Sequence, residues 1–441
     1  MKVFFNSLGC DKNLCDAEHM LSLLSAEGFT ITDDENDADA AVINTCCFIN
    51  DALSESIENI ISLGSLKENG KLKALIVTGC MAERYRDEIR KDLPEVDCIV
   101  GTSSYDEIVP AVKAALSGEK TAFLKALDVL PDIRKGRIRS FPSSSFPLKI
   151  AEGCSKCCTY CVIPSMRGPF RSYPVEDLVL EAGRLSLDCP SEVILVAQET
   201  TLYGTDIYGK KALPDLISRL SELETISRIR IMYAYPEEVT KELLLSMRDN
   251  EKVVHYLDIP IQHCSDRILG LMGRKTRKSK LIENIDMMRR IIPDIALRTT
   301  VMCGFPGETE EDHEELLSFI NDMKFDHLGG FCYSREEGTK SASFKGQVKK
   351  ETKERWLDEV MALQQGISEE LSKKLVGNTY DAMVDGYLPD EGCIIGRIYR
   401  DAPDIDSYLF IQNDTPLMAG TVVKARIEEA NAYDYRGVLV E

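Results

Sequence analysis

The chain has 441 residues, with 53 lysines and arginines against 73 aspartates and glutamates, and 15 cysteines. Its net charge of −20 argues against a protein that coats nucleic acid through a general basic surface. No run of about 18 apolar residues could span a membrane, and Asn6 introduces polarity too early for a signal peptide. We therefore expect a cytoplasmic protein with reduced thiols and no membrane association. Because the cysteine count is odd, a complete disulfide framework is excluded.

The first 117 residues alternate short apolar runs with amphipathic segments, a pattern that predicts parallel strands joined by helices. We expect an α/β domain with a doubly wound parallel sheet over residues 1–117. A linker over residues 118–139 follows, where prolines and basic residues accumulate. The predicted strands are Val3–Ser7, Ala41–Thr45, Ala74–Thr78 and Cys98–Val100, and the predicted helices are Ala17–Ala26, Leu53–Leu63, Arg84–Leu93 and Asp106–Leu116.

From residue 140 the alternation resumes with longer units. Six strand–helix units over residues 140–372 fit a partial (β/α)6 barrel better than a full eight-unit barrel. Residues 373–441 contain short strand-like runs divided by Gly, Pro and Asp, which predicts a small all-β domain. The predicted barrel strands are Leu148–Ala151, Val193–Ala197, Ile229–Ala234, His255–Ile259, Leu297–Met302 and Leu328–Tyr333, and those of the last domain are Tyr380–Val384, Gly396–Ile398, Tyr408–Ile411 and Thr421–Ile427.

The strongest local signal is a cysteine motif directly after the first predicted barrel strand. Cys154, Cys158 and Cys161 have the spacing C-x3-C-x2-C. Thiolates hold iron–sulfur clusters, and close spacing lets one loop wrap one cluster. Three ligands on a four-iron cube leave one iron open to a substrate, as an open zinc position does. The alternative is a zinc loop, which needs a fourth ligand that only Cys157 could supply nearby.

A second group of cysteines is spread along the first domain. Cys10, Cys46 and Cys80 each lie just beyond a predicted strand. Because the carboxyl ends of parallel strands line up along one edge of a sheet, these three thiols are expected to converge on one point. Such a trio could hold a second cluster with an open iron. The alternative is that they are ordinary buried cysteines, since Cys15 and Cys98 show how common cysteine is in this domain.

Weaker signals lie at other predicted strand ends. Gly304 and Gly307 occupy a strand–helix turn that could bring backbone near a cofactor, although a plain turn explains them equally well. Gln198 could hold substrate or start a helix. Arg298 could pair with a cofactor carboxylate through its planar guanidinium or form a buried structural ion pair. His263 is a candidate ligand, but a lone histidine is more often a satisfied structural group.

Together these residues resemble the radical S-adenosylmethionine enzymes. The three N-terminal cysteines and the small β domain, similar to a TRAM domain, narrow the resemblance to the methylthiotransferases. The opening phrase Ser7–Leu14 is similar to the branch that modifies an aspartate of small-subunit ribosomal protein S-twelve (the RimO branch). The matching segments are Lys149–Cys154, Gln262–His263, Gly304–Thr309, Tyr333–Ser334 and Glu337–Thr339.

The charge of the last domain supports a protein substrate. Residues 375–441 contain 12 acidic and five basic residues, a balance of −7. Such a domain repels phosphate and suits a basic partner such as a ribosomal protein. Five positions depart from the family pattern: Tyr173 stands where arginine is usual, Cys47 where glycine is common and Glu199 where aspartate is common, and Cys15 and Ala17 alter the usual phrase after Leu14. None of them is a proposed iron ligand.

The resemblance implies two 4Fe–4S clusters, one on Cys154, Cys158 and Cys161 and one on Cys10, Cys46 and Cys80. It also implies S-adenosylmethionine as cosubstrate, with Gln198, Arg298, Gly304 and Gly307 as pocket residues. The implied reaction adds a methylthio group to the β-carbon of an aspartate in protein S-twelve, free or within the ribosome. Flavodoxin or ferredoxin is the expected electron donor, and general nucleic-acid binding is not expected.

Two alternatives stay open from the sequence. The first is a transfer-RNA (adenosine) methylthiotransferase with the same clusters. The second is a non-catalytic iron–sulfur or zinc scaffold that binds ribosomal components.

Overall fold

The N-terminal part of the chain is built on one parallel sheet. A computed structural model describes residues 1–140, 143–187 and 191–440. The six strands of this sheet run parallel in the order β2-β1-β3-β4-β5-β6. They are β1 (Lys2–Ser7), β2 (Thr30–Thr32), β3 (Ala40–Thr45), β4 (Ala74–Gly79), β5 (Cys98–Val100) and β6 (Thr121–Phe123), and the helices are α1 (Asp11–Ala26), α2 (Asn50–Glu68), α3 (Cys80–Arg84), α4 (Arg86–Asp92) and α5 (Ile108–Leu116).

Helices cover both faces of this sheet. Met20 of α1 and Ala111 of α5 pack in one apolar cluster, while Ile60 and Leu63 of α2 pack in another. Strands β3 and β4 are buried throughout because helices lie on both sides. The predicted doubly wound domain is thus confirmed.

Two features of this domain differ from the sequence-based expectation. Strands β2 and β6 were missed because each has only three residues, and β6 lies inside the predicted linker 118–139, where it pairs with β5. The predicted helix Arg84–Leu93 is divided into α3 and α4, since Tyr85 has the non-helical angles φ −117° and ψ 30°.

The central part of the chain forms a second parallel sheet of six strands in the order β14-β13-β12-β11-β10-β7. This sheet confirms the predicted partial barrel, and β8 and β9 form a separate two-stranded ribbon. The strands are β7 (Ser145–Lys149), β8 (Ala151–Glu152), β9 (Arg171–Ser172), β10 (Ser191–Val196), β11 (Ile226–Ile231), β12 (Val253–Asp258), β13 (Ala296–Cys303) and β14 (His327–Cys332). The helices are α6 (Ile163–Arg167), α7 (Val175–Leu185), α8 (Leu213–Ser221), α9 (Lys241–Asp249), α10 (Asp266–Leu271), α11 (Lys278–Ile291), α12 (Glu310–Met323) and α13 (Lys350–Lys373).

The C-terminal part is a closed five-stranded barrel in the order β15-β16-β17-β19-β18. All its strand pairs are antiparallel except β17 with β19. Its strands are β15 (Thr379–Leu388), β16 (Cys393–Arg397), β17 (Tyr408–Gln412), β18 (Val422–Ala430) and β19 (Asp434–Leu439). The predicted small all-β domain is confirmed, although β19 was not among the predicted strands.

By its contacts the chain divides into two units. The first contains the N-terminal sheet with Pro147–Lys156 and Cys161–Glu181, and the second contains Cys157–Tyr160 and the chain from Ala182 onward. None of the helices within the described residues is long and apolar enough to cross a membrane.

A buried cluster of charges joins the C-terminal barrel to the central sheet. Glu192 of β10 lies 2.5 Å from Nε of Arg230 and 2.8 Å from Nη1 of Arg397, and all three side chains are inaccessible to solvent. Arg397 also pairs with Asp385 at 2.7 Å. Although burial opposes ionisation, Arg230 and Arg397 lower the pKa of Glu192 to about 2. The barrel is therefore held by a fully ionised pair network rather than by apolar contact alone.

Replacing Glu192 with glutamine tests this network. The change leaves two buried guanidinium groups without their shared carboxylate, so we expect a loss of about 3–5 kcal/mol in the free energy of unfolding. Urea denaturation followed by circular dichroism measures it. The matched control is Glu369→Gln, because Glu369 pairs with Lys373 at the surface and its removal has little effect. Equal losses in the two variants would contradict this role of Glu192.

Asp401 makes the same junction sensitive to pH. Burial raises the pKa of its carboxyl to about 7, although His327, 3.4 Å away, acts in the opposite direction. In the unfolded chain this carboxyl ionises near pH 4. The folded state therefore keeps a proton that the unfolded state loses, and stability falls as pH rises from about 4 to 7.

Replacing Asp401 with asparagine removes this titration. We expect the stability of the variant relative to the parent to be greater at pH 8 than at pH 6. Urea midpoints at the two pH values measure the difference. An unchanged difference between parent and variant would contradict the buried, protonated carboxyl.

Candidate functional site

Three cysteines lie at the carboxyl ends of adjacent strands in the first unit. Cys10 precedes α1 after β1, Cys46 follows β3 directly, and Cys80 begins α3 after β4. Burial raises the pKa of Cys80 to about 11, and the charges of Cys10 and Cys46 add to the rise while Arg167 opposes it. Burial likewise raises the pKa of Cys46, with a further contribution from Cys10. The strand order thus places the three cysteines along one edge of the sheet.

Two glycines allow these strand ends to approach. Gly9 has φ +96°, and a Cβ at this position would lie 2.9 Å from Cβ and 3.1 Å from Sγ of Cys46. Gly79 has φ +90°, and its Cβ would lie 2.5 Å from the Thr45 carbonyl oxygen. Any side chain at either position would push the cysteine-bearing segments apart. Glycine therefore directly precedes Cys10 and Cys80 for a steric reason.

Two polar side chains that were not predicted from the sequence, Asn13 and Arg167, lie beside these cysteines. Asn13 donates through Nδ2 to the carbonyl oxygens of Leu8, at 2.9 Å, and Thr45, at 3.0 Å. Its Oδ1 accepts from Sγ of Cys80 at 3.6 Å and from Arg167. Nη2 of Arg167 also lies 3.5 Å from Sγ of Cys80. Asn13 belongs to the opening phrase, which was a usable signal, whereas nothing in the sequence connects Arg167 with Cys80.

The second group of cysteines occupies the loop between β8 and α6. In the first unit, the backbone N–H of Lys156 donates to Sγ of Cys154 and that of Ile163 to Sγ of Cys161, both at 3.4 Å. Gly153 has φ +75°, and a Cβ there would lie 2.2 Å from the Pro169 carbonyl oxygen. Backbone amides aimed at sulfur stabilise thiolates, which is the form that binds metal.

The remaining cysteine of this trio, Cys158, belongs to the second unit. Sγ of Cys158 lies 3.5 Å from the hydroxyl of Tyr235. The guanidinium of Arg274 lies 4.4 Å above the Tyr235 ring and donates to the Pro260 carbonyl oxygen at 3.1 Å. Burial raises the pKa of the Tyr235 hydroxyl well above its ordinary value, so it remains a hydrogen-bond donor. Neither the contact of Tyr235 with Cys158 nor that of Arg274 with Tyr235 could be predicted from the sequence, since both depend on tertiary packing.

The residues suggested for a cofactor pocket fall into two sets. Gly304 and Gly307, with φ of +78° and +88°, follow the carboxyl end of β13, and Gln198 follows that of β10. These three lie where an open α/β sheet binds ligands. Arg298 does not, because it is the third residue of β13 and pairs with Asp406 of the barrel at 3.4 Å. This contact fits the structural ion pair that was the alternative for Arg298.

His263 is a buried structural group. Its Nδ1 accepts from the Ser265 backbone N–H at 3.0 Å, and its Nε2 lies 3.5 Å from Oε1 of Glu308. Both ring nitrogens thus face protein groups, which supports the alternative weighed in the sequence analysis.

The donor set of both cysteine groups suits iron–sulfur clusters. Backbone N–H groups are directed at the sulfurs of Cys154 and Cys161, and the Arg167 guanidinium is directed at that of Cys80; thiolates are the usual ligands of such clusters. A single zinc ion with Zn–S bonds of about 2.3 Å needs ligand atoms gathered around one point. Within residues 1–140, 143–187 and 191–440, no three His, Cys, Asp or Glu side chains have that arrangement.

Comparison with protein families defines the class of protein to which the chain belongs. Family models match the chain in three consecutive parts: the uncharacterized protein family UPF0004 over residues 2–101, the radical SAM superfamily over 148–320 and the TRAM domain over 376–440. A partial barrel with a three-cysteine loop after its first strand defines a radical SAM protein.

The full-length relatives are more specific. The chain is 49% identical to the ribosomal protein uS12 methylthiotransferase RimO of Lachnoclostridium phytofermentans, with 99% of each chain covered. It is 44% identical to that of a Thermoanaerobacter species over 98% of each chain. For Clostridioides difficile the identity is 42%, over 99% of this chain and 98% of the relative. The chain belongs to the RimO family of ribosomal protein uS12 methylthiotransferases.

Solved structures support the fold at low identity. The radical S-adenosylmethionine methyltransferase TsrM from Kitasatospora setae, solved with cobalamin and a 4Fe-4S cluster, aligns with a TM-score of 0.54 at 12% identity over 75% of this chain and 74% of TsrM. The cobalamin-dependent S-adenosylmethionine radical enzyme OxsB aligns with a TM-score of 0.52 at 14% identity over 83% of this chain and 56% of OxsB. These likenesses concern the fold alone.

Replacing Tyr235 with phenylalanine tests the contact with Cys158. A hydrogen bond to a ligand sulfur stabilises the more negative, reduced cluster, so its loss is expected to lower the midpoint potential. One bond of about 1 kcal/mol corresponds to roughly 40 mV for one electron. Redox titration of the reconstituted protein, followed by electron paramagnetic resonance, measures the shift. Tyr399→Phe is the control, because the Tyr399 hydroxyl donates to the Asp294 carbonyl oxygen. Equal potentials in both variants would contradict the contact.

Proposed function

We propose that this chain adds a methylthio group to the β-carbon of an aspartate in ribosomal protein uS12 by radical S-adenosylmethionine chemistry. The observation that carries the proposal is a second trio of cysteines, Cys10, Cys46 and Cys80, at three adjacent strand ends of a radical SAM protein. Relatives that match over nearly the whole chain are named for this activity. The second trio offers thiolate ligands for a metal group separate from the one that initiates radical chemistry, and such a group could supply the sulfur.

We propose two 4Fe–4S clusters, one held by Cys154, Cys158 and Cys161 and one by Cys10, Cys46 and Cys80. When bound, the first group supplies the electron that cleaves S-adenosylmethionine and the second supplies the sulfur. The chain itself fixes the ligands: Gly9 and Gly79 let the second trio converge, and the amides of Lys156 and Ile163 stabilise two thiolates of the first. Each trio leaves one coordination position open.

For S-adenosylmethionine we propose a pocket at the carboxyl edge of the second sheet, with Gln198, Gly304 and Gly307. The two glycines have positive φ, so their backbone can approach a ligand where a side chain would intrude. A Cβ on Gly304 would lie 2.2 Å from Cγ of Lys353. Arg298 is also proposed for this pocket, with a structural ion pair as the alternative, since its guanidinium lies 3.4 Å from Asp406 and 3.7 Å from Asp258.

The partners follow from charge and chemistry. The acidic C-terminal domain, with a balance of −7 over residues 375–441, suits the basic protein uS12, either free or within the ribosome. We propose flavodoxin or ferredoxin as the electron donor and the cytoplasm as the location. We propose the domain boundaries 1–117, 118–139, 140–372 and 373–441, with β6 of the segment 118–139 pairing with β5 of the first domain's sheet.

Iron analysis of cysteine variants tests the two-cluster proposal. The reconstituted parent should carry about eight irons per chain, and variants lacking one trio should carry about four. Cys154→Ala is expected to abolish cleavage of S-adenosylmethionine. Cys80→Ala is expected to retain cleavage but transfer no methylthio group. Cys98→Ala, a buried cysteine outside both trios, serves as the control and should keep about eight irons. Full iron content in Cys80→Ala would overturn the second site.

Mass spectrometry tests the substrate. Incubation with uS12 is expected to replace one hydrogen of an aspartate by a methylthio group, and incubation with transfer RNA is expected to leave its adenosines unmodified. Transfer to RNA with none to uS12 would favour the transfer-RNA alternative. Absence of both products, with S-adenosylmethionine left uncleaved, would favour a non-catalytic scaffold.

A further inference from the structure

Arg167 connects the two cysteine-bearing segments of the first unit. It is the last residue of α6, is 2% exposed, and follows Cys161 by six residues. Its Nη1 lies 2.6 Å from Asp16 and 3.1 Å from Glu152. Its Nη2 donates to Oδ1 of Asn13 and lies 3.5 Å from Sγ of Cys80. One side of the guanidinium therefore contacts carboxylates, and the other faces the Cys80 sulfur.

The carboxylates that hold Arg167 are already neutralised. Lys149 pairs with Asp16 and lies 2.6 Å from Glu152, so two cations meet two anions in a buried group. The two cations, Lys149 and Arg167, and the two anions, Asp16 and Glu152, therefore have a net charge of zero. A thiolate at Cys80 adds a negative charge, and Nη2 on the outer side of Arg167 lies 3.5 Å from its sulfur.

The geometry of arginine explains why this residue type is required. Its rigid planar group can donate to two carboxylates on one side and to sulfur and an amide oxygen on the other. A lysine keeps the positive charge but places it at one point. Asp16 lies on the helix that begins beside Cys10, and Glu152 precedes Cys154 by two residues. The network therefore fixes the guanidinium relative to the segments carrying both trios.

We propose that Arg167 is a positioning residue for the second cluster: it donates a charge-assisted hydrogen bond to the Cys80 sulfur and thereby favours the reduced, more negative state of that cluster. This inference rests on the proposed ligand set. A donor of this kind stabilises the added electron without taking part in the chemistry. Asp16, Glu152 and Lys149 hold the guanidinium in the orientation that reaches sulfur.

The test uses full-length protein in which Cys154, Cys158 and Cys161 are all alanine, so that only the second trio can bind iron. Arg167→Lys is introduced into this parent. The matched control is Arg137→Lys, because Arg137 is an equally buried arginine between two carboxylates, Glu18 and Glu181. Each protein is reconstituted and analysed for iron, and then titrated with dithionite while electron paramagnetic resonance follows the reduced cluster.

We expect about four irons in all three proteins. Arg167→Lys should shift the one-electron equilibrium toward the oxidised state about tenfold, a midpoint about 59 mV lower, while Arg137→Lys leaves it unchanged. Equal shifts in both variants, or none in Arg167→Lys, would overturn the proposal. A parent without iron would instead refute the ligand set, so the two failures are distinguishable.

A second measurement needs no substitution of Arg167. The same parent is labelled with ¹⁵N-arginine, and pulsed electron paramagnetic resonance of the reduced cluster is recorded. A ¹⁵N hyperfine coupling is expected in the parent and in Arg137→Lys. Its absence would overturn the contact even if Arg167→Lys fails to fold.

Discussion

The convergence of parallel strand ends is the constraint on which the proposed chemistry depends. In the first sheet β1, β3 and β4 are neighbours and run in the same direction, so the residues that follow them meet at one edge. The cysteines that follow these strands are distant in sequence, and strand order places them along that edge without a local motif. Gly9 and Gly79 remove the side chains that would keep them apart. The other three cysteines, Cys154, Cys158 and Cys161, lie on a single short loop.

Buried charge is the second organising feature, and it serves two distinct purposes. In the second unit Glu192 lies between Arg230 and Arg397 and holds the C-terminal barrel on the sheet. In the first unit Arg167 and Lys149 neutralise two carboxylates beside Cys80. Unpaired, each charge would cost several kcal/mol to bury. Paired, they fix the positions of domains and ligands more strictly than apolar packing does.

The sequence predicted much of the fold because periodicity and turn residues are local. It also predicts that both cysteine groups converge, from spacing in one case and strand order in the other; the structure places Cys10, Cys46 and Cys80 after adjacent parallel strands, and the convergence itself stays a prediction. It could not predict the contact of Arg167 with Cys80 or of Tyr235 with Cys158, since these partners are far apart along the chain. Arg298 was suggested for a cofactor pocket because its planar guanidinium can pair with a carboxylate. Its nearness to Asp406 could not be predicted, since Asp406 lies in another domain. Short edge strands such as β2 and β6 carry too little pattern to recognise.

Anomalous diffraction at the iron absorption edge, from crystals of the reconstituted protein, tests the central claim most directly. The account predicts two separate iron clusters per chain, one bonded to Cys10, Cys46 and Cys80 and the other to Cys154, Cys158 and Cys161. A single cluster, or iron bonded to other residues with either trio left without it, would contradict the account.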